Sequence, residues 1–449
     1  MSLRDLPSVD RLLSKDEADE LVAAYGRPLT VQALRASLES ARLAIQEGKD
    51  APKEADLISG TRATLQDWLL PSLRPVINAT GVIIHTNLGR APLSIDSQRA
   101  ISEISTGYSS LEYDLERGAR GSREVHAEQL LVRLTGAEAA LVVNNNAAAV
   151  LLVLSVLAFE REVLVSRTQL IEIGGGFRIP QIMEQSGAIL REVGTTNRTH
   201  LRDFEEALND DTAMILRAHH SNFKIVGFTT EPSLPELIEV GRKRSVPVLD
   251  DLGSGALLDT EQFGLGHEPT VQESVREGAP LIAFSGDKLI GGPQAGILVG
   301  EKALIDQLRK HPMARAVRPD KMCLAGLSAT LNHFLMNEAP DSVPVWMMIA
   351  APEDQLKKRA EEWIGLLGTG ELMSGRSTVG GGSLPEETLP TWLLALESTH
   401  PNALADRLRE TDPPIISRVE NDRVVIDPRT VLPSQEATLL SGLKAALSD

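Results

Sequence analysis

Along residues 1 to about 60, apolar side chains recur at helical spacing without any strand pattern. Leu12, Leu13, Leu21 and Val22 mark one segment, and Leu34, Leu38, Ala41 and Ile45 mark a second. The stretch Gln46 to Glu54, with Gly48, Lys49, Asp50 and Pro52, reads as a turn, and a helix through Trp68 and Leu69 runs to Pro71. From about residue 75 to 300 the pattern changes to short β-branched runs alternating with helical ones. The predicted strands are Ala140 to Val143, Val163 to Ser166, Ile189 to Val193, Ala213 to Leu216, Val246 to Leu249, Leu281 to Phe284 and Gly296 to Val299. This alternation predicts an α/β fold with a mostly parallel sheet, whose ligand crevice lies at the C-terminal strand ends. A long helix, Gly326 to Asn337, then leads into a mixed α/β tail. The expected division is 1–62, a small helical domain; 63–325, the catalytic domain; and 326–449, a smaller α/β domain.

Composition narrows the class without naming a chemistry. With 449 residues, 42% hydrophobic and 24% charged, the chain is long enough for several domains and has the balance of a soluble globular protein. Its one cysteine, Cys323, excludes an intramolecular disulfide framework and a cysteine-based zinc site, and a reducing, cytoplasmic setting fits. The longest apolar segment, Ala147 to Phe159, is too short to cross a bilayer and reads as a buried helix, so no membrane partner is expected. The N-terminus carries acids throughout and lacks a signal-peptide core. A net charge of -17 argues against indiscriminate nucleic-acid binding; DNA is not an expected partner, and RNA contact must be local. The best basic patch is Leu308 to Lys321, where Arg309, Lys310, Arg315, Arg318 and Lys321 stand against Asp320 alone.

The chemistry gathers at predicted strand ends. Lys288, in Ser285-Gly-Asp-Lys-Leu-Ile-Gly-Gly292, follows the apolar run Ala279 to Phe284. A lysine desolvated at such a place loses its proton and can form a Schiff base with an aldehyde, most commonly pyridoxal phosphate. Gly291 and Gly292 are expected to let that cofactor approach the backbone. The strand ending in Asn144-Asn145-Asn146 and opening a small-residue helix is a phosphate cradle by type, with Asn145, Asn146 and Ala147 closest to the anion. Asp250 and Asp251 end another strand. A carboxylate against the pyridine nitrogen keeps the ring protonated as an electron sink, and Asp251 is favoured because it directly precedes the Leu-Gly-Ser-Gly turn. A metal pair is the competing reading, but the motif holds no histidine or further carboxylate, so no metal is expected. After the strand at Met214 to Leu216, Asn222 could bond the cofactor's phenolic oxygen, and His219 could stack on its ring or move a proton.

Together these motifs resemble the bacterial L-seryl-tRNA(Sec) selenium transferases, or selenocysteine synthases, over almost the whole chain. The likeness includes Leu6 to Leu13, Asn78 to Val82, Thr86 to Leu93, Leu111 to Leu115, Arg120 to Arg123, Glu172 to Pro180, Gly194 to His200, the Lys288 motif, Ala314 to Arg318 and Gly380 to Pro385. It implies the aspartate aminotransferase-like fold type I of pyridoxal phosphate enzymes, with Lys288 as the Schiff-base lysine and Ser285 among the cofactor contacts. It further implies that Arg90, Arg315 and Arg318 hold selenophosphate, guanidinium forks being suited to phosphate oxygens. The N-terminal helical unit would grip seryl-tRNA(Sec), although it carries eight basic against eleven acidic residues. The implied reaction converts L-seryl-tRNA(Sec) to L-selenocysteinyl-tRNA(Sec) through a dehydroalanyl-tRNA stage, in a homodecamer built from dimers, with selenophosphate synthetase as a further candidate partner. The rival reading keeps the cofactor and changes the substrate: a lyase or β-eliminating enzyme for a small amino acid or amino sugar phosphate. The RNA-gripping appendage weighs against it. A non-catalytic RNA-binding descendant is disfavoured because Lys288, the asparagines and the arginine trio are all present.

Overall fold

In the computed structural model, residues 6–173 and 176–448 are described; Gly174 and Gly175 of the Glu172 to Pro180 motif lie outside them, together with residues 1–5 and 449. The chain divides into two compact units, Met1–Pro75 and Val76–Asp449.

Among the described residues the first unit holds four helices, Val9–Leu13, Asp16–Tyr25, Arg27–Gln46 and Glu54–Leu69. The expected first helical segment is broken at Ser14, whose hydroxyl donates to Arg11 O at 2.9 Å. Leu12, Leu21, Leu34, Leu38, Leu57, Ile58 and Leu65 form its core. The expected boundary at residue 62 therefore cuts the last helix, which supplies Leu57, Ile58 and Leu65 to that core, and the unit runs on to Pro75.

All seven predicted strands form one sheet. They are β1 (Ala139–Val143), β2 (Glu162–Ser166), β3 (Ile189–Val193), β4 (Thr212–Ala218), β5 (Val248–Gly253), β6 (Leu281–Ser285) and β7 (Gly296–Gly300), in the order β1-β7-β6-β5-β4-β2-β3. Only β7 runs antiparallel to its neighbours. Alternate residues enter two different cores. Ala140, Val142, Val248, Leu252, Ile282 and Phe284 face one, whereas Ala139, Leu141, Val143, Leu249, Leu281 and Ala283 face the other. A sheet covered on both faces explains why these strands read as continuous apolar runs. The helix Asn146–Leu157, which contains most of the long apolar segment, packs in the second core.

The expected boundary at 325/326 also fails, because it falls inside the helix Lys321–Leu335, whose Leu324, Leu327 and Leu331 belong to the first of those cores. The C-terminal layer is a four-stranded sheet of β8 (Glu371–Thr378), β9 (Thr388–Glu397), β10 (Arg418–Glu420) and β11 (Arg423–Ile426), in the order β8-β9-β11-β10. It is not separate: Ile77–Asn78, near the start of the second unit, pairs in parallel with Ile415–Ile416. Among the described residues, no helix is long and apolar enough to cross a membrane.

Candidate active site

Parallel pairing brings the ends of β4, β5 and β6 to one edge, and β1 joins them because it and β6 are both antiparallel to β7. Lys288 lies three residues beyond β6 in a turn closed by Gly291 N–H to Lys288 O at 2.9 Å and Leu289 N–H to Ser254 O at 3.1 Å. The side chain is buried, and its Nζ donates to Gly382 O at 3.3 Å. Burial holds the ammonium below its ordinary range; Asp251 opposes this, while Arg90 adds to it. A Cβ on Gly253 would stand 3.6 Å from Nζ and one on Gly382 3.2 Å, and the Ser221 hydroxyl lies within 3.9 Å of both points. These glycines, both at positive φ, leave the amine open.

The expectation for Gly291 and Gly292 is corrected. A Cβ on Gly291 would collide with Val343, and one on Gly292 would crowd Gly286 O and touch Leu327 and Thr330. They seat the turn against its own protein, so close approach to Nζ falls to Gly253 and Gly382.

Strand alternation separates the two aspartates. Asp250 points to the face of Val248 and Leu252, where Arg217 Nη1 donates to it at 2.6 Å and Ser274 Oγ at 2.7 Å. Asp251 points to the other face, toward the helix Asn146–Leu157, and accepts from Asn146 Nδ2 at 2.9 Å. One ion cannot sit between carboxylates on opposite faces of a strand. Burial pushes the Asp251 carboxyl up to about 6, against the pull of Asn146 and Lys288.

At the expected phosphate cradle, Asn145 Oδ1 accepts from Ala148 N–H at 2.8 Å, so its side chain caps the helix and is not free for an anion. The N–H groups of Asn146 and Ala147 precede the first intrahelical bond and take no part in that cap. Strand β7 begins with Gly296 because a Cβ there would strike the Asn145 carbonyl.

His219 sits at the end of β4, its N–H bonded to Asp251 O at 2.9 Å and its Nε2 3.5 Å from Glu268 Oε1. Asn222 is exposed and donates to Glu172 O at 2.9 Å; its neighbour Ser221 is the one that borders the Gly253 and Gly382 positions flanking Nζ. Ser285 donates to Asp287 Oδ1 at 2.6 Å, and Asp287 Oδ2 accepts from Arg90 Nη1 at 2.6 Å. Arg90 holds a left-handed backbone, φ 64°. Arg90→Ala strands the nearly buried Asp287 carboxylate, so urea unfolding is expected to register a loss of about 2 kcal/mol, partly restored by adding Asp287→Asn.

Arg315 and Arg318 line a cavity of about 220 Å³ together with Arg120, Arg123, Arg309, Glu112 and Glu124. Arg318 Nη1 is 3.6 Å from Glu112 Oε1, and Asn144 N–H donates to Val317 O at 2.8 Å, tying this turn to the cradle strand. Arg90 is not among the lining residues, so the structure brings together two of the three expected arginines.

These residues fit pyridoxal phosphate. The buried amine is flanked by two glycines, the opposing carboxylate sits at a strand end, and helix-start N–H groups adjoin it; the buried Asn146 Oδ1 has no hydrogen-bond partner.

Comparison with known proteins follows the same line. Residues 76–432 match the family model described as L-seryl-tRNA selenium transferase, and residues 3–42 match selenocysteine synthase N terminal. The L-seryl-tRNA(Sec) selenium transferase of Geobacter sulfurreducens is 46% identical over 458 residues, covering 99% of both chains. That of Carboxydothermus hydrogenoformans is 44% identical over 440 residues, covering 96% of this chain and 94% of the relative. Among solved structures, D-glucosaminate-6-phosphate ammonia-lyase shares the fold at a TM-score of 0.60 and 19% identity, covering 86% of this chain and 98% of that one.

Proposed function

The chain belongs to the L-seryl-tRNA selenium transferase family, and on that premise we propose that it converts L-seryl-tRNA(Sec) to L-selenocysteinyl-tRNA(Sec), with pyridoxal phosphate as cofactor and selenophosphate as selenium donor. The observation that carries this reading is Lys288: an amine whose ammonium form burial disfavours, in a glycine-walled slot, within the field of a strand-end carboxylate. When bound, pyridoxal phosphate supplies an aldehyde for amines and a pyridine ring that accepts the electron pair left on the serine α-carbon.

The chain's own residues do the rest. Lys288 Nζ, whose ammonium form burial disfavours, takes the α-proton of the seryl group. Asp251 holds the proton on the pyridine nitrogen, its carboxylate fixed by Asn146. The N–H groups of Asn146 and Ala147 bind the cofactor phosphate. The β-hydroxyl leaves as water with the proton that Lys288 took. Selenium of the donor then bonds to the same carbon, Lys288 returns a proton to the α-carbon, and water cleaves the P–Se bond to release phosphate. Arg315 and Arg318 hold the phosphoryl oxygens of the donor, and Arg90, through Asp287, braces the lysine turn. Assembly through dimers into a decamer, and direct delivery of the donor by its synthetase, belong to the same reading.

The test is a coupled assay with charged seryl-tRNA and selenophosphate. Arg315→Ala is expected to raise KM for selenophosphate at least about tenfold while leaving seryl-tRNA binding near the wild-type value, as loss of a charge-assisted contact predicts. Equal selenophosphate KM in the two proteins contradicts the arginine assignment. Gel-shift binding to tRNA(Sec) without binding to tRNA(Ser) is the expected RNA result.

A further inference from the structure

We propose that Glu268 is the positioning residue for His219, its carboxylate fixing the plane of the imidazole and the nitrogen that carries hydrogen. The inference rests on the proposed function and on the expectation that His219, at the end of β4 beside Asp251, stacks on the cofactor ring or moves a proton there.

Glu268 is 2% exposed, and its Oε1 has no hydrogen-bond partner. The other buried carboxylates are furnished with donors. Asp250 has Arg217 and Ser274; Asp427 has Ser377, Thr391 and the Arg429 N–H; Asp287 has Arg90 and Ser285. A buried carboxylate oxygen without a donor costs stability, so its retention needs a physical reason. The ring nitrogen it meets is His219 Nε2, 3.5 Å away.

Both sides of this pair are held by backbone. Thr260, itself fully buried, donates its hydroxyl to Gly266 O at 2.6 Å and accepts from Glu268 N–H at 3.1 Å, which leaves the loop before Glu268 no slack. The His219 N–H is bound to Asp251 O at 2.9 Å. With both backbones fixed, the remaining freedom is rotation of the imidazole, and a carboxylate opposite Nε2 selects the rotamer and tautomer that place N–H toward it. Titratable groups near this pair include His220 and Arg217 on the same strand end, Asp251 on the neighbouring strand, and Lys288, which itself lies within the field of Glu268.

The experiment uses the full-length holoenzyme as wild type, Glu268→Gln, His219→Ala and the double variant. Visible circular dichroism of the bound chromophore and the Kd for pyridoxal phosphate are read alongside kcat. Glu268→Gln and His219→Ala are each expected to weaken the visible signal and raise Kd about tenfold, and the double variant to be no worse than His219→Ala, the signature of one residue acting through another. Losses that multiply in the double variant, or a Glu268→Gln protein indistinguishable from wild type, overturn the proposal. Melting of Glu268→Gln is expected at or above the wild-type temperature. If that variant does not fold, Glu268→Asp, which keeps the charge but shortens its reach, is expected to give an intermediate Kd, and a wild-type Kd in that variant overturns the proposal. The optical coupling does not depend on turnover. A wild type that binds pyridoxal phosphate yet leaves seryl-tRNA unchanged sinks the transferase reading, whereas a turning-over wild type without coupling sinks only this one.

Discussion

Lys288→Ala is expected to lower conversion of seryl-tRNA(Sec) by at least about 10⁴-fold and to leave a protein that borohydride no longer labels at this position. The amine is both the anchor for an aldehyde and the base for the α-proton, and no other group inherits either role. The Ser221 hydroxyl borders the same Gly253 and Gly382 positions as Nζ, and a hydroxyl is too weak a base. Lys288→Met separates chemistry from folding. A buried amine whose ammonium is disfavoured costs the fold stability as pH falls through its folded value, and methionine fills similar volume without that cost. The methionine variant is therefore expected to be inactive and to unfold at the same urea concentration as wild type or a higher one. Residual turnover within tenfold of wild type in either variant removes Lys288 from the mechanism.

Asp251→Asn is expected to retain the cofactor chromophore and to lose about 10²- to 10³-fold in kcat, because an amide cannot keep a pyridine nitrogen protonated. The same substitution carries a stability signature in the cofactor-free protein. Burial raises the carboxyl from its ordinary 3.8 to about 6, so the native state holds this proton more tightly than the unfolded chain does. The resulting stabilisation, about 3 kcal/mol at most, is fully present below pH 3.8 and is lost as pH rises through 6. Relative to the asparagine variant, wild type should thus lose ground between pH 4 and 7 in urea titrations. A difference that stays flat over that interval contradicts the burial of the charge. Asp250→Asn is the control: it breaks the contact to Arg217 on the opposite face and should destabilise without the same selective loss of kcat.

How far the sequence carried the fold depended on what each run of residues had to bury. All seven central strands were legible because both faces of the sheet are covered, which turns each strand into an apolar run. β5 was placed too early, at Val246 to Leu249, because its second half is Asp250-Asp251-Leu252-Gly253 and buried carboxylates look like a turn until their partners are known. The choice between those aspartates had a usable signal. Alternation from Leu249, on the face of the Asn146 helix, already assigns Asp251 to that side. Lys288 and the asparagine turn were visible because local sequence builds them. Gly382, Ser221 and Glu268 were not given roles, since what places them at the site is contact across long stretches of chain: Gly382 reaches Lys288 from beyond β8, and Glu268 arrives on a loop held by Thr260. Both expected domain boundaries cut through helices for a related reason, as the spacing of apolar residues reports a helix's face but not which neighbours share its core.

The short parallel pairing of Ile77–Asn78 with Ile415–Ile416 bears on how this protein is made. While the polypeptide is still threading out of the ribosome, the opening segment of the large unit has emerged early but finds no strand to join until residue 416 is free of the exit tunnel. Closing so long a loop is slow and leaves apolar surface bare in the meantime. This layer therefore locks only after residue 416 is free, and a message truncated before codon 415 is expected to yield a product that lacks the partner strand and is taken up by chaperones and proteases.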